Sequence, residues 1–126
     1  MPTADTIMEY LRGLKNKHEK IQACMVAKKG LEGLIVFPET FKEDVAAIWE
    51  PLSKNLDDML TVVARYSSFG LNSLYSEMLG YGIIFLILPM SDTALIVFVK
   101  GDKPAVEEMA EIYGDIDATR RAILNV

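Results

Sequence analysis

Cysteine, histidine and tryptophan each occur once among the 126 residues. A single cysteine, Cys24, excludes an intramolecular disulfide and fits a reducing compartment. A single histidine, His18, and the absence of Cys-x-x-Cys or His-x-x-x-His spacing leave no metal-ligand pattern. Basic residues are in deficit, with 13 Lys and Arg against 18 Asp and Glu, a formal net charge of −5 and a pI near 4.8. No basic stripe is therefore available to displace the counterions of a nucleic acid, and that partner class is not expected. The densest basic run, Lys15 to Lys20, falls where a first helix should end and complements that helix's C-terminal dipole. Gly30, Gly33, Gly80 and Gly82 fall between strands rather than ahead of a helix, so no phosphate loop is indicated. No hydrophobic signal segment precedes the first polar residues, and a cytoplasmic location is expected.

Apolar residues make up 51% of the chain and charged residues 25%, a globular balance, and the length suits one domain over 1–126. The chain is organised around Tyr81 to Lys100, two short apolar runs rich in β-branched and aromatic residues, divided by Pro89-Met90-Ser91-Asp92-Thr93. Neither run alternates, so each reads as a strand buried on both faces, the pair forming a hairpin at the centre of a sheet. Pro89 and Asp92 at mid-span exclude the rival reading as one membrane helix.

Taken in order, Thr3 to His18 reads as an amphipathic helix with Ile7, Leu11 and Leu14 on its apolar face. Ile21–Lys28 and Gly33–Phe37 read as a hairpin of two strands, with Gly30 in the turn. Thr40-Phe41-Lys42-Glu43 has capping-box spacing, which predicts a long helix to about Ser67, kinked or divided at Pro51. Its central stripe is Val45, Ile48, Leu52, Leu56, Met59 and Val63, and Trp49 and Leu60 widen the apolar arc beyond what covering a sheet requires. Leu71–Met78 carries polar residues on both faces and reads as an edge strand. Gly101-Asp102-Lys103-Pro104 starts a last helix bearing Val106, Met109, Ala110, Tyr113, Ile116 and Ile123, with Gly114-Asp115 a point of bending or division. The predicted fold class is α+β: a three-layer α/β/α sandwich with a five-stranded antiparallel sheet, in the order helix-strand-strand-helix-strand-strand-strand-helix.

Chemistry-bearing residues do not converge. His18 reads as solvated at a basic helix end, and Cys24 as a small buried hydrophobe rather than a nucleophile. The pairs Glu43-Asp44, Asp57-Asp58 and Glu107-Glu108 are neighbours on helices and diverge into solvent. Ser67-Ser68 has no histidine partner. No catalytic residue, cofactor site or metal site is assigned, and none of Arg65, Arg120 and Arg121 can be made an arginine finger.

The hairpin Cys24 to Val36, the long helix after Thr40 and the hairpin Gly82 to Val99 followed by a final helix resemble the Roadblock (dynein light-chain) domain over essentially the whole chain. Profilin-like and longin domains share this architecture, as do GAF and PAS sensors with altered helices. The chain departs from the family pattern at Pro51, inside the long helix, and at Lys29, where an acidic residue usually adjoins the turn glycine. The resemblance implies a dimer in which the long helix lies beside its twin and the third strand pairs with its twin, giving a ten-stranded sheet. The residues expected at that interface are Ala46, Trp49, Ser53, Leu56, Leu60 and Ala64 on the helix flank, with Leu71, Leu74, Tyr75 and Met78 on the edge strand. A two-fold dimer would cover both the wide apolar arc and the open edge. It further implies a non-enzymatic regulator or scaffold for a nucleotide triphosphatase, a Ras-like small GTPase above all. The alternative is a small-molecule sensor of the GAF or PAS type, which would need an apolar cavity with polar anchors.

Overall fold

The apolar pattern of the strands dictates the layering. The structure, a computed structural model, describes residues 4–31, 34–78, 80–88, 93–100 and 106–124, with residues 29, 78, 106–109 and 124 described through their backbone alone. Helix α1 (Ala4–Lys17) leads into β1 (Ile21–Lys28) and, past a tight turn at Lys29–Leu31, into β2 (Ile35–Phe37). A single helical turn, α2 (Phe41–Asp44), a 3-10 segment at Ala46–Ile48 and helix α3 (Trp49–Tyr66) follow. The sheet is completed by β3 (Ser73–Met78), β4 (Tyr81–Ile87) and β5 (Thr93–Lys100), and α4 (Val106–Leu124) is the last element described. The five strands are ordered β2-β1-β5-β4-β3, and every pairing is antiparallel.

Strands β1, β5 and β4 form the middle of the sheet, and alternate residues feed two cores. One face carries Cys24, Val26, Ile84, Leu86, Leu95, Val97 and Val99 against Ile7, Leu11 and Leu14 of α1 and Ile112, Ile116 and Ile123 of α4. The other carries Ala23, Met25, Ile83, Phe85, Ile96 and Phe98 against Phe41, Val45, Leu52, Leu56 and Leu60 of the α2–α3 segment. A β-bulge between Ile21 and Ala23 sets Ile21 on the same face as Cys24 and Val26, so one extra residue corrects the phase of β1. The three-layer order and the central hairpin are as the sequence predicts, although the residues between β4 and β5, Pro89 to Asp92, lie outside those described. So does the proposed helix start at Gly101 to Pro104.

Three expectations are corrected. The long helix does not run from Thr40: it breaks over Val45–Ile48 and restarts at Trp49, which puts Pro51 in a first turn, where the missing N–H costs nothing. The capping box at Thr40 is not made. Its side chain caps nothing, and its carbonyl instead accepts the Glu43 and Asp44 N–H groups. Gly114-Asp115 neither bends nor divides α4, which is continuous, and its buried line is Ile112, Ile116 and Ile123, while Ala110 and Tyr113 are exposed.

Candidate interaction site

The two edges of the sheet differ. Strand β2 has three residues and is followed at once by Pro38, a short edge that offers little to a further strand. Strand β3 has six, Ser73 to Met78, and neither proline nor lysine. Its register is Ser73 opposite Leu86 through Met78 opposite Tyr81, and one step earlier the Ile87 N–H donates to the Asn72 carbonyl at 2.9 Å. Hydrogen-bonded pairs alternate along an antiparallel ladder, so Leu74, Ser76 and Met78 turn their backbone groups inward to β4. Ser73, Tyr75 and Glu77 therefore present their N–H and C=O groups outward along the edge.

On the α1/α4 face of this edge, Tyr75 lies diagonally over Gly82. A Cβ at Gly82 would stand 2.7 Å from the Tyr75 hydroxyl and 3.3 Å from Cε1 and Cζ, so the glycine in β4 is what lets the ring lie down. Tyr75 is nonetheless 45% exposed. Its partial burial, and then the charge and hydrogen bond of Glu77, hold the phenol's proton on and raise its pKa.

The connection from α3 into this edge carries the largest apolar exposure among the described residues. Phe69 is 82% exposed and Tyr66 45%, their rings 6.4 Å apart. The 3-10 turn holding Phe69 closes at Gly70, whose φ of 95° suits glycine, and the Leu71 N–H donates to the Tyr66 carbonyl at 3.2 Å. Neither aromatic stood out in the sequence as an interface residue; two rings spaced three apart just past a helix end were the available signal.

The helix flank is corrected more sharply. Leu56 and Leu60, expected on a free surface, have no accessible area and anchor α3 to the sheet. Trp49 is half-buried, packs on the same core and has the Lys42 ammonium 5.1 Å from its ring centre. Ser53 and Ala64 are half-buried and lie on the side of α3 that bears Asp57, whose carboxylate accepts the Gly30 N–H of the β1–β2 turn. Asp57 is thus an internal tie, not a solvated acid. The flank turned away from that turn holds Met59 and Val62, both half-buried, and the exposed Asn55 and Tyr66. Of the remaining expected residues, Ala46 is exposed, Leu71 and Leu74 are half-buried, and Leu74 packs into the α3-side core. The side chain of Met78 lies outside those described.

Elsewhere among the described residues, charged groups serve as ties within the fold. His18, expected in solvent, is 11% exposed and its Nε2 meets Asp115 Oδ2 at 2.6 Å, tying the end of α1 to α4. Arg120 is also drawn in: Nη1 donates to the Ile87 carbonyl at 3.2 Å and Nη2 pairs with Asp117 at 2.7 Å. Burial pushes the Cys24 thiol up to about 12, with Lys15 opposing weakly, which leaves it without a nucleophilic thiolate. Among the described residues there is no group of three or more His, Cys, Asp or Glu able to hold a metal ion, and no helix is long and apolar enough to cross a membrane. Among the described residues the recesses are open surface grooves, one of about 390 Å³ lying between the start of α1, β2 and Lys42.

The architecture is that of the roadblock-like and longin-like sandwiches. Among solved structures, the chain is similar to the crystal structure of MglC from Myxococcus xanthus, with a TM-score of 0.59 at 15% identity, covering 90% of this chain and 96% of that one. At that identity the likeness speaks for the fold alone. No family model matches the sequence, and no curated protein matches it either.

Proposed function

We propose that this chain is a non-enzymatic regulator or scaffold that works as a homodimer on a nucleotide triphosphatase, a Ras-like small GTPase being the favoured class. The observation that carries the reading is the open β3 edge, continued by the exposed Tyr66–Phe69 pair and by the half-buried flank of α3 at Met59 and Val62. Outward backbone groups and exposed aromatics in one place are what a strand-pairing protein interface uses. The fold shared with MglC agrees with the resemblance from which the regulatory class is drawn. The sensor reading has less support: Met25, Phe85, Phe98 and Leu60 fill the space between sheet and α3, where a ligand would have to sit.

The test is direct. The purified chain is immobilised and challenged with individual small GTPases of its source cell in their GDP and GTP-analogue forms, and hydrolysis and exchange rates are read with and without it. Saturable binding of at least one GTPase, lost on Phe69→Glu, supports the proposal. Retention of none in either nucleotide state removes it.

A further inference from the structure

We infer that the β2 edge is a docking slot for a short extended segment of another protein, paired antiparallel to β2 and reading apolar residue, any residue, then Lys or Arg. This edge lies across the sheet from β3, and the inference stands apart from the dimer reading above.

The hydrogen bonding of the sheet can be traced to this edge. The Leu88 N–H donates to the Thr93 carbonyl at 3.0 Å and the Lys100 N–H to the Lys20 carbonyl at 2.8 Å, so odd-numbered residues of β5 turn to β4 and even-numbered ones to β1. Ala23, Met25 and Ala27 are then bonded to β5, which leaves Cys24 and Val26 to bond Phe37 and Ile35. Val36, between those two, turns its N–H and C=O away from the sheet. Yet Val36 is only 8% exposed, and neither group bonds another element among the described residues. Buried backbone groups are nearly always paired, so this couple calls for a partner from outside the chain.

The groove of about 390 Å³ runs along the couple. Leu34 and Val36 pack with the α3-side core and Ile35 with the α1-side core, so the groove spans both faces of the edge. Met8 supplies a half-buried apolar wall from α1. Asp5 and Glu39 line the groove with exposed carboxylates that form no ion pair among the described residues. Lys42 lines it too, but its ammonium stands over the Trp49 ring. The charge left for a ligand is therefore negative, and its complement is a cation.

A three-residue edge ended by Pro38 cannot extend the sheet at length, so the site is short. Antiparallel pairing lets one partner residue exchange both bonds with Val36, whereas a parallel partner divides them between two. The residues on either side of it then set their side chains on the α1 face, opposite Phe37 and Ile35. Arg12 stands 5.5 Å from the Phe37 ring centre, so α1 runs alongside β2 in the same direction and Asp5 falls toward the Ile35 end. The partner residue before the central one meets Met8, and the residue after it meets Asp5.

The probe is the acetylated, amidated pentapeptide Thr-Leu-Thr-Arg-Thr, titrated into the full isotope-labelled chain and followed by amide shifts. Saturable shifts centred on Val36 are expected. Methylating the central threonine's nitrogen removes one of the two bonds and should weaken binding about tenfold. Replacing the peptide's Arg with Glu should weaken it about fivefold, and Asp5→Lys, an exposed substitution, should reverse the preference between the two peptides. Phe69→Glu should leave the titration unchanged, which keeps this test separate from that of the GTPase reading. Absence of saturation up to about 2 mM overturns the slot. So does a peptide whose binding ignores both the methyl group and the Asp5 swap, or whose shifts centre on β3.

Discussion

Leu60→Ala separates a residue that holds one chain together from one that joins two. Leu60 has no accessible surface and sits in the core beneath α3 with Met25, Phe85 and Ile96. The truncation removes three carbons and leaves a cavity. Its neighbours are poorly placed to refill it: α3 is tied to the β1–β2 turn through Asp57, and Phe85 and Phe98 are packed with no exposure of their own. The cost should fall at about 2–5 kcal/mol, toward the upper half because collapse is restrained. At about 3–5 °C per kcal/mol for a domain of this size, the melting temperature should drop by roughly 10–25 °C. Urea unfolding followed by far-ultraviolet circular dichroism, repeated over a hundredfold range of protein concentration, checks it. A loss that originates in the core is the same at every concentration, whereas a loss from a dimer surface shrinks as the chain is diluted to monomer. Val62→Ala, on the free flank, should cost less than about 1 kcal/mol in the monomer. Should Leu60→Ala cost that little as well, the placement of Leu60 in the core is wrong.

Gly82→Ala forces the Tyr75 ring off the sheet because the new Cβ would stand 2.7 Å from its hydroxyl. The single change should cost about 1 kcal/mol, and in a Tyr75→Ala background it should become neutral or stabilising, a coupling that a double-mutant cycle in urea measures. Phe41→Ala removes a ring 5.0 Å from that of Phe98 and 6.2 Å from that of Tyr81, and should cost about 3–5 kcal/mol, read as a shift of the denaturation midpoint at constant m value. Cys24 should shape the alkaline limb of stability. Its thiol ionises near 9.0 when free and near 12 in the fold, so the folded chain holds a proton that the unfolded chain has lost. Stability from this source is complete below pH 9, declines as pH rises, and is spent by pH 12, with a total on the order of 4 kcal/mol. Urea midpoints between pH 8.5 and 10.5 should therefore fall more steeply for the parent than for Cys24→Ala, and parallel slopes would refute the assignment.

What the sequence disclosed was local in origin. Strand β1 occupies Ile21–Lys28 as read, because an apolar run between a basic helix end and Lys29-Gly30 admits few alternatives. The two-faced burial of β4 and β5 followed from runs without alternation, and the edge character of β3 from polar residues on both its faces. The helix wheel failed for a physical reason. It was phased as though residues 40–67 were one helix, and the break at Val45–Ile48 resets that phase, bringing Leu60 in and turning Met59 partly out. Pro51 carried the signal, since a proline three residues into a helix is common and one ten residues in is not. The His18–Asp115 contact spans 97 positions and the Gly30–Asp57 bond 27, and no periodicity reports such pairs. The resemblance to the Roadblock domain foresaw the fold; of the residues expected at a dimer interface, Leu56 and Leu60 lie in the core beneath α3.

The break in the helix also explains why the uncovered apolar surface of the α3 layer collects at one edge. Because α3 starts only at Trp49, the preceding turn is free to swing Phe41 into the core between Phe98 and Tyr81. The line Leu52, Leu56, Leu60 and Val63 is then wholly occupied by the sheet, and the Asp57 side is occupied by the β1–β2 turn. A single flank remains, and it ends at Tyr66, three residues before Phe69 and seven before the first outward-facing residue of β3. Had the helix begun at Thr40, residues 41–48 would have stood out along its axis and Phe41 could not have reached Phe98 without a kink. On this reasoning Pro51→Ala should leave the break in place, because Phe41 burial maintains it, whereas Phe41→Ala should let helix content rise at the α2–α3 junction even as stability falls. Hydrogen exchange at the Ala46–Trp49 amides distinguishes the two, and slower exchange in Pro51→Ala would show that proline, not the buried ring, enforces the break.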